Sequence, residues 1–284
     1  PTEITDNHIV IGLMWVYAIK IVQETGAYKK VRSRITLMGN QERTLLGRMD
    51  AFAPVAQMVT GRLLIAMHLH IKDIIIRQLD VKNAYINEYM RRLVYCHLPP
   101  GYTIQWLPGG AWTFRRLRKG EKAPRLCLPL IKALYGGREG VRIFWEAWVD
   151  WHLSQGFQII HEERCYLCRR SSNGSYIKLG YHVDDNMVIA LGAEYYADYL
   201  TSLNVKFDVE EGPLREHLGV LYDLDLENGI CRMSQPSQAL KVLKLFGMEH
   251  CKPHDTPCAD GPLPWPTTSH AKATQIISKR PQNF

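Results

Sequence analysis

From Met14 to Gln23 apolar and polar residues alternate as in a strand. Thr25-Gly26 then supplies a turn, and Val31 to Met38 alternates back, which predicts a hairpin whose returning side carries Lys29, Lys30, Arg32 and Arg34. The period becomes helical between Thr60 and His70, on Leu63, Leu64, Met67 and Leu69. Ile74 to Leu79 is an apolar run of strand length that ends on Asp80. Leu93 to His97 predicts a further strand, closed by Pro99-Pro100-Gly101, and the basic stretch Arg115 to Arg125 reads as a solvated loop.

Helical spacing returns from Arg142 to Leu153, where Phe144, Trp145, Trp148 and Val149 form a broad apolar face that predicts core packing, with Gly156 as the stop. Strands are predicted over Tyr166 to Arg170, Tyr176 to Val183 and Met187 to Leu191, the last two flanking the pair Asp184-Asp185. Glu194 to Leu203 reads as a helix. Leu218 to Leu226 and Ile230 to Met233, joined at Asn228-Gly229, read as a hairpin, and Ser237 to Phe246 as a closing amphipathic helix. From Cys258 onward proline, threonine, serine and lysine accumulate without period, as in a linker.

The chain has 284 residues, 46% hydrophobic and 22% charged, as in a globular protein with one or two cores. Its net charge of +7 favours a polyanionic partner. Seven cysteines, at positions 96, 127, 165, 168, 231, 251 and 258, lack the density of a disulfide-stapled secreted domain and fit a reducing intracellular compartment. No apolar run reaches membrane-spanning length, because Lys72, Asp73 and Arg77 interrupt even the stretch around Ile74. Pro1 opens the chain without a leader-like succession, so a piece of a longer reading frame is expected.

An aspartate at the end of one apolar strand, and two more in a later turn between strands, bring three carboxylates together if the strands share a sheet. Oxygen donors of this kind suit magnesium, although an Asp-Asp pair in a turn is also ordinary turn chemistry. The surrounding residues decide between these readings. Gln78-Leu79-Asp80-Val81-Lys82-Asn83-Ala84-Tyr85 resembles the first catalytic motif of copia-type reverse transcriptases, and His182-Val183-Asp184-Asp185 resembles their paired-aspartate hairpin. Phe52-Ala53-Pro54-Val55-Ala56, Thr60 and Arg62-Leu63-Leu64, Pro99-Pro100-Gly101-Tyr102, Leu134-Tyr135-Gly136, and Phe207 with Leu218-Gly219 follow in family order. The likeness runs over residues 14–257.

That resemblance implies an α+β right-hand polymerase fold, with an antiparallel palm sheet packed on helices. Fingers are expected at 14–70 and 93–140, palm at 71–92 and 141–212, and a short thumb at 213–257, between a lead-in (1–13) and a linker (258–284). It implies an RNA-directed DNA polymerase working with two Mg2+ ions, or Mn2+ in their place, on an RNA template, a DNA primer and deoxynucleoside triphosphates. Other segments of the same polyprotein are expected partners, in a cytoplasmic particle or the nucleus. Asp80, Asp184 and Asp185 become the catalytic acids and metal ligands, joined by the backbone carbonyl of Val81. Arg32 and Arg34 become a triphosphate clamp, or otherwise a solvated strand face. Asn83 and Ala84 lie along the triphosphate, and Tyr85 is the residue that excludes a ribose 2′-hydroxyl, or otherwise a core tyrosine.

Some positions depart from the family. Gly137-Arg138-Glu139-Gly140 follows Leu134-Tyr135-Gly136 where leucine, lysine, glutamine and alanine are usual, and Glu139 would repel template phosphates. The segment from Arg118 to Ile131 is longer than usual, Gly47 to Ala51 lacks the usual aspartate-tyrosine, and His182 stands in place of tyrosine. His182 is a tolerated variant, while Gly137, Glu139 and the longer segment favour a second reading, a decayed or repurposed copy that binds nucleic acid without efficient polymerisation. Zinc at Cys165 and Cys168, or at His250, Cys251, His254 and Cys258, is the rival metal reading.

Overall fold

The computed structural model describes residues 2–4, 10–21, 28–41, 53, 54, 56–160, 164–183 and 185–252. The Thr25-Gly26 turn, Phe52, Val55, Asp184, His254 and everything from Pro253 onward lie outside them.

In chain order the strands β1 (Thr2–Glu3), β2 (Val10–Ile11), β3 (Leu13–Ile21) and β4 (Tyr28–Leu37) precede helix α1 (Met58–His68). Strand β5 (Ile75–Val81) runs into a 3-10 turn (Ala84–Asn87), then β6 (Tyr95–His97), β7 (Tyr102–Trp106), β8 (Trp112–Arg116) and β9 (Leu126–Pro129). Helix α2 (Arg138–Ser154) leads to β10 (Gln158–Ile159), β11 (Tyr166–Arg170), β12 (Tyr176–His182) and β13 (Asp185–Leu191). After α3 (Ala193–Lys206) come β14 (Val209–Pro213), β15 (Glu216–His217), β16 (Val220–Asp225) and β17 (Ile230–Ser234), and then α4 (Pro236–Leu245).

Six strands form the central sheet in the order β10-β11-β12-β13-β5-β14, with every neighbouring pair antiparallel. This is the α+β arrangement expected, an antiparallel sheet packed on helices. Successive residues of a strand point to opposite faces, and each face has its own cover. On one face Trp145 of α2 donates its indole N–H to the Tyr181 hydroxyl at 3.0 Å, and Tyr196 of α3 bonds Glu211 at 3.3 Å. On the other, Gly61 lets α1 lie close to Met187 and Tyr166. The central strand β13 is buried from Asn186 to Ala190, hence its near-continuous apolar sequence.

Smaller sheets surround this core. β3 and β4 form the predicted hairpin, with Trp15 opposite Ile35 and Val16 opposite Arg34. β1, β9, β6 and β2 make a four-stranded sheet. The basic stretch expected to be a loop is strand at its start: Arg115 and Arg116 end β8, which pairs with β7, and only Leu117 to Arg125 is irregular. Trp112 and Phe114 alternate with Thr113 and Arg115, a period of two that the neighbouring glycine and proline residues obscure.

Contacts divide the chain into two units, Pro1–Ser234 and Gln235–Phe284. In the second, α4 is an amphipathic helix begun by Pro236, at a position where a missing N–H costs little.

The main core is aromatic where α2 meets α3. Trp148 is fully buried, 5.8 Å from Phe144 and 5.0 Å from Phe207 between ring centres. His152, also fully buried, is neutral there: Nδ1–H donates to the Trp148 carbonyl at 2.7 Å, and Nε2 accepts from the Tyr199 hydroxyl at 2.9 Å. Burial, opposed by the Trp148 carbonyl and aided by Arg169, pushes its pKa down to about 3 from 6.5. The unfolded chain therefore takes up a proton below pH 6.5 that the folded chain refuses. This contribution to stability is complete above pH 6.5 and is lost as pH falls toward 3. Urea titrations should show unfolding about 2 kcal/mol easier at pH 5 than at pH 7.5 from this residue, and His152→Gln should flatten that part of the profile.

Candidate active site

Strand β5 carries Asp80 between two neighbours. Asp185 of β13 is its register partner on one side and Glu210 of β14 on the other. Residues directly opposite across a sheet share a face, so three carboxylates stand in a row on the face away from α2 and α3. They border a cleft of about 840 Å³ that Gln78, Arg215 and Leu218 also line.

Asp185 is tightly held. Gln78 Nε2 donates to Oδ1 at 2.9 Å and the Leu218 backbone N–H to Oδ2 at 3.4 Å. His217 Nδ1 lies 3.1 Å from Oδ1, an electrostatic contact bent away from a straight hydrogen bond. Burial resists ionisation of Asp185, but His217, the Leu218 amide and Gln78 together outweigh it and hold the carboxyl below its usual range. Asp80 is more exposed.

The turns around these acids are strained. His182 pairs with Asp185, so only Val183 and Asp184 separate β12 from β13. Val183 has φ of 59°, a left-handed conformation that a β-branched residue rarely adopts. Leu218 (φ 52°) and Gly219 (φ 73°) likewise form the two-residue turn between β15 and β16, which aims the Leu218 amide at Asp185. Strain of this kind clusters where function over-determines geometry.

Beyond Asp80, Val81 closes β5 with its side chain buried, leaving only its main chain for a ligand. Asn83 is left-handed (φ 52°) and starts the 3-10 turn that contains buried Ala84 and half-buried Tyr85. The Tyr85 ring meets Tyr135 edge-on at 4.6 Å, and the Arg34 guanidinium lies 4.9 Å above Tyr135. Arg32 shares that strand face with Arg34. The structure therefore joins Arg34 to Tyr85 through one ring, and Asp80 to Asp185 through one register pair. Asp184 is outside the described residues. Gly136 locks this arrangement: its φ is 84°, and a Cβ there would collide with the Leu37 carbonyl while the Leu37 N–H donates to Tyr135 O at 2.7 Å.

Glu139 is not the repulsive charge expected of it. Its carboxylate pairs with Arg92 Nε at 3.1 Å, and Gly137 serves as the N-cap of α2. Cys165 is buried and Cys168 half-buried on the following strand. Among the described residues no three His, Cys, Asp or Glu side chains come together as a group that could hold a metal ion. Magnesium usually combines one or two carboxylates with phosphates and water, and Asp80 and Asp185 are such a pair of oxygen donors by register.

The sequence pattern alone missed Gln78, Glu210 and His217. Gln78 is legible afterwards, because it lies two residues before Asp80 and so on the same face.

Residues 2–260 match the family described as reverse transcriptase (RNA-dependent DNA polymerase), and the chain belongs to that family. Its relatives are copia-type retrotransposon polyproteins. It is 25% identical over 248 residues to the retrovirus-related Pol polyprotein from transposon TNT 1-94 of Nicotiana tabacum, covering 86% of this chain and 17% of that protein. It is 24% identical over 268 residues to that from transposon RE1 of Arabidopsis thaliana, covering 92% of this chain and 16% of that protein, and 24% over 259 residues to that from RE2 of the same plant, covering 89% and 16%. The chain spans about one sixth of the length of these relatives.

Replacing His217 by Phe removes the polar ring nitrogen 3.1 Å from the half-buried Asp185 carboxylate. Urea unfolding at pH 7 should show a loss of about 1–3 kcal/mol, and His217→Gln, which can still donate, should recover part of it.

Proposed function

We propose that this chain is the polymerase segment of a copia-type retrotransposon polyprotein, extending a DNA primer on an RNA template with deoxynucleotides. The observation that carries this reading is the register pairing of Asp80 with Asp185 at the mouth of the cleft. The family's right-hand layout is adopted with it: the β3/β4 hairpin as fingers, the six-stranded sheet as palm and β15 to α4 as thumb.

In this reading Asp80, Asp184 and Asp185 hold the metal, with the Val81 carbonyl beside them. When bound, magnesium supplies a more acidic primer 3′-hydroxyl and neutralises charge on the triphosphate. Asp185, kept ionised by Gln78, His217 and the Leu218 amide, needs no deprotonation before it can serve as a ligand. Arg32 and Arg34 share one strand face and reach toward the triphosphate, where a guanidinium can grip two oxygens at once. The Asn83 and Ala84 amides take its inner phosphates. Tyr85, braced by Tyr135 and Phe144, presents a fixed ring edge to the sugar and leaves no room for a 2′-hydroxyl. Catalysis here consists mainly of positioning and preorganised charge.

The decayed-copy reading stands as the alternative; Glu139, one of its motivations, is paired with Arg92 at 3.1 Å.

Extension of a labelled DNA primer on an RNA template tests the proposal. Asp80→Ala and Asp184→Ala should each lower the rate by about two to three orders of magnitude or more, and chelation should abolish extension until magnesium is restored. A parent chain that folds but never extends the primer would overturn the reading. Tyr85→Ala should raise ribonucleotide incorporation relative to deoxynucleotide by about tenfold to a hundredfold in single-nucleotide competition, with unchanged discrimination assigning Tyr85 to the core instead.

A further inference from the structure

The β7/β8 hairpin borders no part of the carboxylate cleft, yet it displays aromatic side chains to solvent. Its register sets Tyr102 opposite Arg116, Ile104 opposite Phe114 and Trp106 opposite Trp112, and these six residues share one face. Trp106 is 61% exposed, Phe114 40% and Trp112 39%. Trp112 and Phe114 meet edge to face at 5.4 Å, so neither ring swings freely. At the base of the hairpin Tyr102 lies 5.9 Å from Trp15, whose indole N–H donates to the Pro100 carbonyl at 3.2 Å, and Trp15 stacks on Tyr17 at 6.3 Å. The aromatic row thus continues onto β3, on the face of the β3/β4 hairpin opposite Arg32 and Arg34.

An exposed aromatic face can be a protein interface, and the charge around this one favours a polyanion. Between Pro99 and Arg125 stand six cations, Arg115, Arg116, Arg118, Lys119, Lys122 and Arg125, against the single acid Glu121. Glu121 is already bound by both terminal nitrogens of Arg115, at 2.8 and 2.6 Å, and by the Arg118 backbone N–H at 2.9 Å. Arg116 stands directly across the ladder from Tyr102, at the edge of the aromatic face. Unpaired nucleic acid offers flat bases for the rings and phosphates for this excess of cations, and so meets both features of the segment at once.

We propose that this face binds the unpaired template RNA strand, with bases stacked on Trp106, Trp112 and Phe114 and phosphates met by Arg116 and Lys119. Naming that strand as template rests on the polymerase reading; the stacking does not.

Fluorescence anisotropy of the full chain with labelled single-stranded RNA, and with a blunt RNA duplex of the same sequence, tests this. The single strand should bind more tightly, and the double substitution Trp106→Ala with Trp112→Ala should weaken it about tenfold or more, without shifting the thermal midpoint. The corresponding pair of Trp→Phe changes should recover most of the loss, because a stacking ring remains. Arg116→Ala with Lys119→Ala should instead flatten the dependence of affinity on salt. Equal single-strand affinity of the parent and the alanine pair would overturn the proposal, as would preference for the duplex or a dimer that the alanine pair converts to monomer in light scattering. Asp80→Ala should keep the parent's single-strand affinity, so loss of extension and loss of the platform are read separately.

Discussion

Strand β5 is hydrogen-bonded along both edges, to β13 and to β14, and the site depends on the register of those two ladders. Leu79 and Val81 are buried on one face of β5 while Asp80 between them opens toward the cleft. Because side chains alternate, a slip of one residue would bury Asp80 and turn Leu79 outward. Burying a carboxylate and exposing a leucine are both unfavourable, so the hydrophobic core sets the alignment of the acids. Asp185 is held in the same way by the buried run of β13 that follows it.

Much of this was legible in the chain because it follows from local period. The apolar strand ending at Asp80, the hairpin around Asp184-Asp185 and the helix carrying Trp148 all announce themselves through alternation or helical spacing. What was hidden joins distant residues. His217 reaches Asp185 only because Leu218 and Gly219 turn the chain back, and no periodicity encodes a contact 32 residues away. Glu139 looked like a misplaced charge until its partner Arg92, 47 residues earlier, was beside it. Arg115 and Arg116 read as loop rather than as the end of β8 because glycine and proline surround the short alternating arms of this hairpin.

The arginine hairpin and the turn bearing Tyr85 are mechanically connected. Arg34 packs on one face of Tyr135, Tyr135 meets Tyr85, and the main chain at Tyr135-Gly136 is pinned to Leu37 at the end of the same hairpin. β4 and the turn bearing Tyr85 are therefore joined through packed rings and a backbone hydrogen bond. Glycine at position 136 is a condition of that linkage, since any side chain would push the two segments apart.

The sheet ends at β14, whose sequence is Val209-Glu210-Glu211-Gly212-Pro213. An open strand edge invites another chain to add to it, and natural sheets discourage this with charge and proline. Glu210 places a charge on this edge, Glu211 is already paired with Arg77 at 3.1 Å, and Pro213 removes a donor from the ladder. The carboxylate that borders Asp80 in the cleft is thus also one of the groups that keep the protein from growing a seventh strand. Neutralising Glu210 to reshape the cleft would therefore also remove one of the charges that guard this edge, which ties the chemistry of the site to the protection of the sheet.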